Sequence, residues 1–190
     1  AYAEETMSFS FRGLSEEPKL LPIDLIVGLS RPQTNRKILN EATTLGARSI
    51  RFVATERGEP SYADSKLWSS GEWRRHVVAG AAQAFSTRLP LVTWGMSLGE
   101  ALKAVAGRES EGGGRRLALD NYEAVERLGK ALAGASGSVA LAVGSERGWT
   151  AAERNLLRSA GWTLAGLGER VLRTETAVVA AVSVAREAMF

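Results

Sequence analysis

The chain has 190 residues, 45% hydrophobic and 24% charged, which is typical of one soluble globular domain and outside the range of disordered segments. The absence of cysteine and the single histidine, His76, exclude disulfides and thiolate chemistry and disfavour a metal centre or a Ser-His-Asp triad. Because the sequence has neither a long apolar span nor the basic start of a signal peptide, we predict a cytoplasmic protein without membrane or metal partners.

The net charge of +3 is unevenly distributed along the chain. Residues 31–88 carry ten basic and five acidic side chains, and Trp68, Trp73 and Phe85 lie among them. This mixture can neutralise phosphates and stack on bases, so one interpretation is an RNA partner. The other is that these cations belong to solvated helix faces, which are common in bacterial proteins. His76 follows two arginines, and a place on this basic face is favoured over a catalytic role.

From Ile23 onward, apolar runs of strand length alternate with amphipathic runs of helix length, which predicts an α/β fold with a largely parallel sheet. The predicted strands are 23–29, 49–54, 91–94, 116–119 and 138–143. The predicted helices are 32–45, 72–86, one from about 150 to 161, and a last one from about 174 to the end. Residues 1–20 are interpreted as a linker or remnant, and 109–114, with three consecutive glycines, as a flexible connection.

Several helix boundaries have capping signals. Ser30 is a candidate N-cap for the first helix, with Pro32 in its first turn. Thr150 and Glu153 form a capping box for the third helix, which we expect to turn Leu156 and Leu157 towards the core.

A first glycine-bearing segment, 143–150, follows a predicted strand, where open α/β sheets place their ligands. Its glycines let the backbone approach a ligand closely, and the helix that begins at Thr150 adds oriented N–H groups. A turn from strand to helix also requires glycine for structural reasons alone. The segment is neither a GxGxxG nor a Walker loop, which disfavours dinucleotide and nucleoside triphosphate ligands.

A second segment, 167–177, places Arg173 at the start of an apolar helix. A cation is unfavourable at this positive terminus unless an anion or a carboxylate is near, and such a misfit favours a functional role. The structural alternative, with Thr174 as N-cap and Glu175 in the first turn, leaves Arg173 unexplained.

Together, 144–149 and 167–177 resemble the two signature loops of the bacterial ribosomal RNA small subunit methyltransferase E family. Residues 36–46 resemble the first helix of that family's catalytic domain, and Gln83, Arg88 and Pro90 fit its next segment. The resemblance implies a SPOUT methyltransferase domain over 21–190, with a Rossmann-like parallel sheet and a deep C-terminal trefoil knot. The family usually also has an N-terminal PUA-like RNA-binding domain, and we expect none here, because the residues before Ile23 are too few to form it. It also implies a homodimer that transfers a methyl group from S-adenosylmethionine to uridine N3 of small-subunit ribosomal RNA.

The resemblance also assigns roles to residues of this chain. Arg173 and Glu175 are the catalytic candidates: Arg173 stabilises negative charge on the uracil, and Glu175 either orients Arg173 or accepts the N3 proton. Arg36 and Arg88 are candidates for contacts with RNA phosphates. The cofactor-binding candidates are Leu119, Gly144, Glu146, Gly148, Leu167, Gly168, Leu172, Thr176 and Ala177.

Three positions depart from the family's usual residues: Arg147 replaces a glycine of the first loop, and Asn40 and Thr44 differ in the first helix. An alternative is therefore a catalytically degenerate homologue that binds RNA or a protein partner. A Rossmann-like oxidoreductase is a third reading, disfavoured by the missing GxGxxG unit. Binding of S-adenosylmethionine would separate these alternatives.

Overall fold

The computed structural model describes residues 8–13, 19–107, 114–135 and 137–189. Within these ranges, no helix is both long enough and apolar enough to cross a membrane. Much of the predicted N-terminal linker, residues 1–7 and 14–18, lies outside the described residues. The same holds for the predicted glycine-rich connection, of which only Gly114 is described.

In the described part of the chain, seven parallel strands form a single sheet. They are β1 (Leu21–Gly28), β2 (Ala47–Ala54), β3 (Leu91–Ser97), β4 (Arg115–Leu119), β5 (Glu126–Arg127), β6 (Val139–Val143) and β7 (Thr163–Gly166). Their order across the sheet is β3-β2-β1-β6-β4-β7-β5. Every residue of the central strand β6 is buried, as expected for a continuous apolar run in a parallel sheet covered on both faces. The predicted α/β class and parallel sheet are confirmed.

Among the residues that the structure describes, seven α-helices and a short 3-10 helix at Pro60–Asp64 accompany the strands. The α-helices are α1 (Pro32–Thr44), α2 (Lys66–Ser69), α3 (Glu72–Gln83), α4 (Leu98–Ala106), α5 (Leu128–Ala131), α6 (Ala151–Ser159) and α7 (Thr174–Glu187). The helices α1 and α7 pack against each other, and α7 also contacts the central strands β1 and β6.

The core has two layers, one on each face of the sheet. Successive side chains of a strand point to opposite faces, so β1 contributes Leu25 to one layer and Ile26 to the other. The first layer contains Ile38 of α1 and Val182 of α7. The second contains Trp149, which follows β6, together with buried residues of α4 and α6. The central strands of the sheet are therefore enclosed on both faces, and a ligand can reach them at their ends.

The start of α1 differs from the prediction. Arg31 is the N-cap, and no side chain caps the helix, whereas Pro32 is in the first turn as predicted. Ser30 is not a cap, because the helix begins one residue later and the Ser30 hydroxyl donates to the carbonyl oxygen of Gly28 at 3.1 Å. The polar group that fixes this turn is Asn35, whose Nδ2 donates to the carbonyl oxygen of Ser30 at 2.7 Å.

The predicted capping box of α6 is confirmed, since Thr150 and Glu153 exchange both hydrogen bonds. Leu157 is fully buried as expected, but the inward position expected for Leu156 is wrong, because it is 42% exposed. Adjacent helical residues are separated by about 100°, so only one of the two can face the core.

The predicted start of the last helix near residue 174 is confirmed, but the structural alternative that made Thr174 its N-cap is wrong by one residue. Arg173 occupies the N-cap position, and Thr174 is the first helical residue and is buried. The arginine is therefore the half-helical residue at the entrance to α7, which places its backbone at the mouth of the site described next.

Candidate active-site cleft

A cleft of about 640 Å³ opens where β4, β6 and β7 end. It is lined by Leu119 at the end of β4, Val143 at the end of β6 and Leu167 directly after β7. Parallel strands place their carboxyl ends at one edge of the sheet, which is where doubly wound α/β proteins bind their ligands. The fold therefore brings the two glycine-bearing segments into one hollow.

Close backbone packing shapes the turn that follows β6. A Cβ atom added to Gly28 would lie 2.2 Å from the backbone nitrogen of Ser145, so β1 and this turn approach each other more closely than a side chain permits. Gly148 adopts a positive φ of 67°, and its N–H donates to the carbonyl oxygen of Ser145 at 2.8 Å. The indole N–H of buried Trp149 donates to the carbonyl oxygen of Leu119 at 3.0 Å, which ties the end of β6 to the end of β4.

The turn after β6 is also held from the other side of the cleft. Glu146 accepts a hydrogen bond from the backbone N–H of Arg31 at 2.9 Å, and this links the turn to the start of α1. Arg57, in the loop after β2, donates to the carbonyl oxygen of Arg147 at 3.1 Å. Arg147, which replaces the usual glycine of the family, is thus held by its main-chain carbonyl group, while its side chain is exposed.

Arg173 and Glu175 both line the cleft, but no hydrogen bond joins them among the interactions of the described residues. Glu175 instead pairs with Lys37 of α1, with 3.1 Å between Oε1 and Nζ. Burial would raise the pKa of Glu175, but its own backbone N–H, Lys37 and the charge of Arg173 together lower it below the ordinary value. Glu175 is thus an anion near Arg173, and it offsets the unfavourable position of that cation at the start of α7.

Seven of the nine residues predicted to bind the cofactor line the cleft; these are Leu119, Gly144, Glu146, Gly148, Leu167, Leu172 and Ala177. Gly168 and Thr176 are not among its lining residues. Gly168 follows Leu167 with a φ of 122°, a conformation that favours glycine, and Thr176 is exposed in the first turn of α7. The binding roles of all nine residues remain predictions.

The two predicted RNA-binding arginines lie away from the cleft. Arg36 makes a two-pronged ion pair with Glu72 of α3, with 2.7 Å between Nε and Oε1 and 3.2 Å between Nη2 and Oε2. The hydrogen bonds from Arg36 and then His76 lower the pKa of Glu72 to about 2. Arg88 is exposed beyond the end of α3. Arg36 therefore already has a carboxylate partner, and its predicted contact with RNA stays a prediction.

The sequence interpretation missed a second group of cleft residues. Asp120 and Tyr122 lie just after β4, and Asp120 forms a buried ion pair with Arg154 of α6. The position of Asp120 directly after an apolar strand was a usable signal, because strand ends lie at the ligand edge of the sheet. Across the described ranges, no group of three or more histidine, cysteine, aspartate or glutamate side chains could hold a metal ion.

A fully parallel sheet with a cleft at the carboxyl ends of its strands defines a Rossmann-like α/β ligand-binding domain. The model of the RNA methyltransferase domain family matches residues 16–186, and the chain belongs to that family. Ribosomal RNA small subunit methyltransferase E of Treponema pallidum is 38% identical over 174 residues, which cover 89% of this chain and 63% of that protein. Ribosomal RNA small subunit methyltransferase E 1 of Borreliella burgdorferi is 30% identical, and the match covers 88% of this chain and 68% of that protein.

A solved structure gives the same classification. Ribosomal RNA small subunit methyltransferase E from Neisseria gonorrhoeae, bound to S-adenosyl methionine, matches with a TM-score of 0.75 and 28% identity. The match covers 89% of this chain and 67% of that chain. The chain thus spans somewhat less than two thirds of the Treponema relative and about two thirds of the Neisseria structure.

Proposed function

We propose that this chain is an S-adenosylmethionine-dependent methyltransferase domain that methylates uridine N3 in small-subunit ribosomal RNA. The observation that carries the proposal is the meeting of segments 144–149 and 167–177 in one cleft at the carboxyl edge of the sheet. The Neisseria relative, similar over most of this chain, is bound to S-adenosyl methionine. Membership of the RNA methyltransferase domain family supports RNA as the methyl acceptor.

The cleft fits such a cofactor in shape and chemistry. Gly144 lies so close to Gly148 that an added Cβ would be 3.1 Å from its Cα, so the turn exposes backbone where side chains would fill the space. Leu119, Leu167 and Leu172 supply apolar walls suited to an adenine ring, and we assign the cofactor to the backbone around these residues. When bound, the cofactor supplies an electrophilic methyl group.

Methylation at N3 requires loss of the imide proton, and negative charge develops on the uracil oxygens. The guanidinium of Arg173, the N-cap residue of α7 and part of the cleft lining, stabilises that charge. Glu175 has a lowered pKa and an ion pair with Lys37, which makes it a weak base. Of the two roles considered for Glu175, orientation of Arg173 through its charge is therefore favoured over proton abstraction, and the N3 proton leaves to solvent water.

The proposal includes the chain topology, domain extent and assembly that the family resemblance implies. The segment 167–173 follows β7 and leads into α7, which packs against α1 and the central strands. The similarity to the Neisseria structure over 89% of this chain supports a domain over 21–190, and we propose that its C-terminal part forms the deep trefoil knot that the family resemblance implies. We also propose a homodimer, which light scattering of the purified protein would test by its mass.

A transfer assay tests the proposed function. Purified protein is incubated with radiolabelled S-adenosylmethionine and small ribosomal subunits that lack the modification, and the RNA is digested to nucleosides. We expect label in 3-methyluridine. Label in another nucleoside would overturn the proposed target. Cofactor binding without any transfer to RNA would favour the alternative, a degenerate homologue that binds RNA or a partner.

A further inference from the structure

The most exposed aromatic side chain of the cleft is Tyr122, which lies three residues beyond the end of β4. It is 77% exposed, so it contributes little to the core, and yet it lines the hollow that also contains Gly144 and Arg173. An aromatic ring of this size in water, at the mouth of a ligand cleft, is a surface that a flat partner can cover.

The backbone of Tyr122 is held firmly in spite of this exposure. Asp120 accepts hydrogen bonds from the N–H groups of Tyr122 at 2.8 Å and of Glu123 at 2.6 Å. Its other oxygen accepts a hydrogen bond from Nε of Arg154 at 2.7 Å. The side chains of Asp120 and Arg154 are only 2% and 8% exposed. The loop after β4 is therefore anchored by a buried, hydrogen-bonded ion pair, which fixes the position from which the ring projects.

The ring itself has one face occupied and one face open. The guanidinium carbon of Arg154 lies over the ring at 5.4 Å from its centroid, within the range of a cation–π contact. Since the residue is nonetheless 77% exposed, its exposed surface is the opposite face and the ring edge. A stacking platform has this arrangement: it is supported from below and accessible from above.

The charged residues of the same cleft indicate the chemical class of the partner. Arg31, Arg57 and Arg147 are exposed and line the same cleft as the ring, so cations that can bind phosphate share this hollow with it. An aromatic face beside arginines is the combination that proteins use for unpaired bases of RNA. Tyr122 is 77% exposed, whereas the leucines that suit the cofactor, Leu119, Leu167 and Leu172, are buried or half-buried in the same cleft.

We propose that Tyr122 is a platform on which an unpaired base of the RNA substrate stacks. The inference rests on the proposed function, because it concerns how the enzyme binds the RNA that accepts the methyl group. Asp120 and Arg154 act as positioning residues for the platform. The three exposed arginines of the cleft bind phosphates of the same RNA.

The test compares Tyr122→Ala, Tyr122→Leu and Tyr122→Phe with the unsubstituted protein. Steady-state methyl transfer to small ribosomal subunits lacking the modification gives kcat and KM, and calorimetry gives the affinity for S-adenosylmethionine. We expect the Ala and Leu variants to raise KM for the subunits about tenfold or more, since a stacked base contributes that much to binding. Phe, which keeps the ring, is expected to restore most of the affinity, and cofactor affinity is expected to stay unchanged in all three variants.

Val125→Ala is the matched control, because Val125 is 75% exposed on the same loop and does not line the cleft. We expect it to behave like the unsubstituted protein. Unchanged KM in both the Ala and Leu variants would overturn the proposal. So would a loss of cofactor affinity with KM for RNA unaltered, which would assign the ring to the adenine instead. If the proposed function itself is wrong, the unsubstituted protein transfers no methyl group to the subunits, and this outcome is distinct from the two that overturn the role of Tyr122.

Discussion

The cleft and the outer face formed by α1 and α3 both carry several cations, but the two regions use them differently. In the cleft, four arginines surround one hollow beside two glycine-bearing turns; they are Arg31, Arg57, Arg147 and Arg173. On the face of α1 and α3, Arg36 is bound by both oxygens of Glu72, which also contacts His76. Arg31, Arg36 and Arg57 all belong to the basic segment 31–88, but only Arg31 and Arg57 line the cleft. Charge density along the sequence therefore does not locate the candidate site, whereas position at the carboxyl edge of the sheet does.

The largest expected effect is on kcat, and it should distinguish the cleft from the face of α1 and α3. Arg173→Ala should lower kcat for methyl transfer by about 100-fold or more, the usual effect of removing a group that stabilises transition-state charge. Arg36→Ala, which removes a side chain that lies away from the cleft, should instead leave kcat nearly unchanged, and its predicted phosphate contact would show as a raised KM for RNA. The control is Arg186→Ala, at the opposite end of α7, which should not alter either constant. Equal effects of Arg173→Ala and Arg36→Ala on kcat would remove the distinction between the regions.

The next effect concerns the close packing behind the cleft. Gly28→Ala should lower the free energy of unfolding by about 1–3 kcal/mol, because its Cβ would collide with the backbone of Ser145. It should also weaken S-adenosylmethionine binding, since the turn after β6 must move. Gly99→Ala is the control: no atom lies within 4 Å of its added Cβ, and alanine favours the helix. Chemical denaturation and calorimetry measure both quantities, and normal cofactor affinity in Gly28→Ala would contradict the account.

A smaller effect is expected where the two regions meet, at the ion pair between Lys37 and Glu175. Lys37 helps to lower the pKa of Glu175, so Lys37→Ala should raise that pKa. Since the account requires Glu175 to be anionic, kcat should fall as the pH is lowered through the pKa of Glu175. This fall in kcat at acid pH should therefore occur at a higher pH in Lys37→Ala, and at an unchanged pH in Lys37→Arg. An identical profile in all three proteins would show that Glu175 does not contribute through its charge.

The smallest expected effect lies on the face of α1 and α3. Glu72 has a folded-state pKa of about 2, below its ordinary value of 4.5. The stability that its ionised form contributes is thus fully present above pH 4.5 and is lost as the pH falls towards 2. Glu72→Gln should be slightly less stable than the unsubstituted protein at pH 7, and the difference should shrink below pH 4.5. A difference that is independent of pH would mean that packing, not charge, is responsible.

Long and strongly patterned segments were predictable from the sequence, and short ones were not. The buried run of β6 and the capping box of α6 identified both elements. The strand β7 has four residues and β5 has two, too few for a periodic signal. The helix α4 was missed although Ser97 and Glu100 form a capping box, because it follows β3 with no intervening turn.

The candidate site shows the same division. The glycine-bearing turns were evident because glycine marks a local backbone requirement. The pairing of Lys37 with Glu175 joins residues 138 positions apart and has no signature in the linear sequence. The same holds for the contact of Arg154 with Tyr122, which depends on how α6 packs beside the end of β4. Such contacts follow from the assembled sheet and not from any one segment.

The central claim is that the cleft at the ends of β4, β6 and β7 binds the methyl donor. Calorimetric titration of the purified protein with S-adenosylmethionine, and with its product S-adenosylhomocysteine, tests it most directly. The account predicts saturable binding of both compounds at one site per chain. A folded protein that binds neither compound would contradict it.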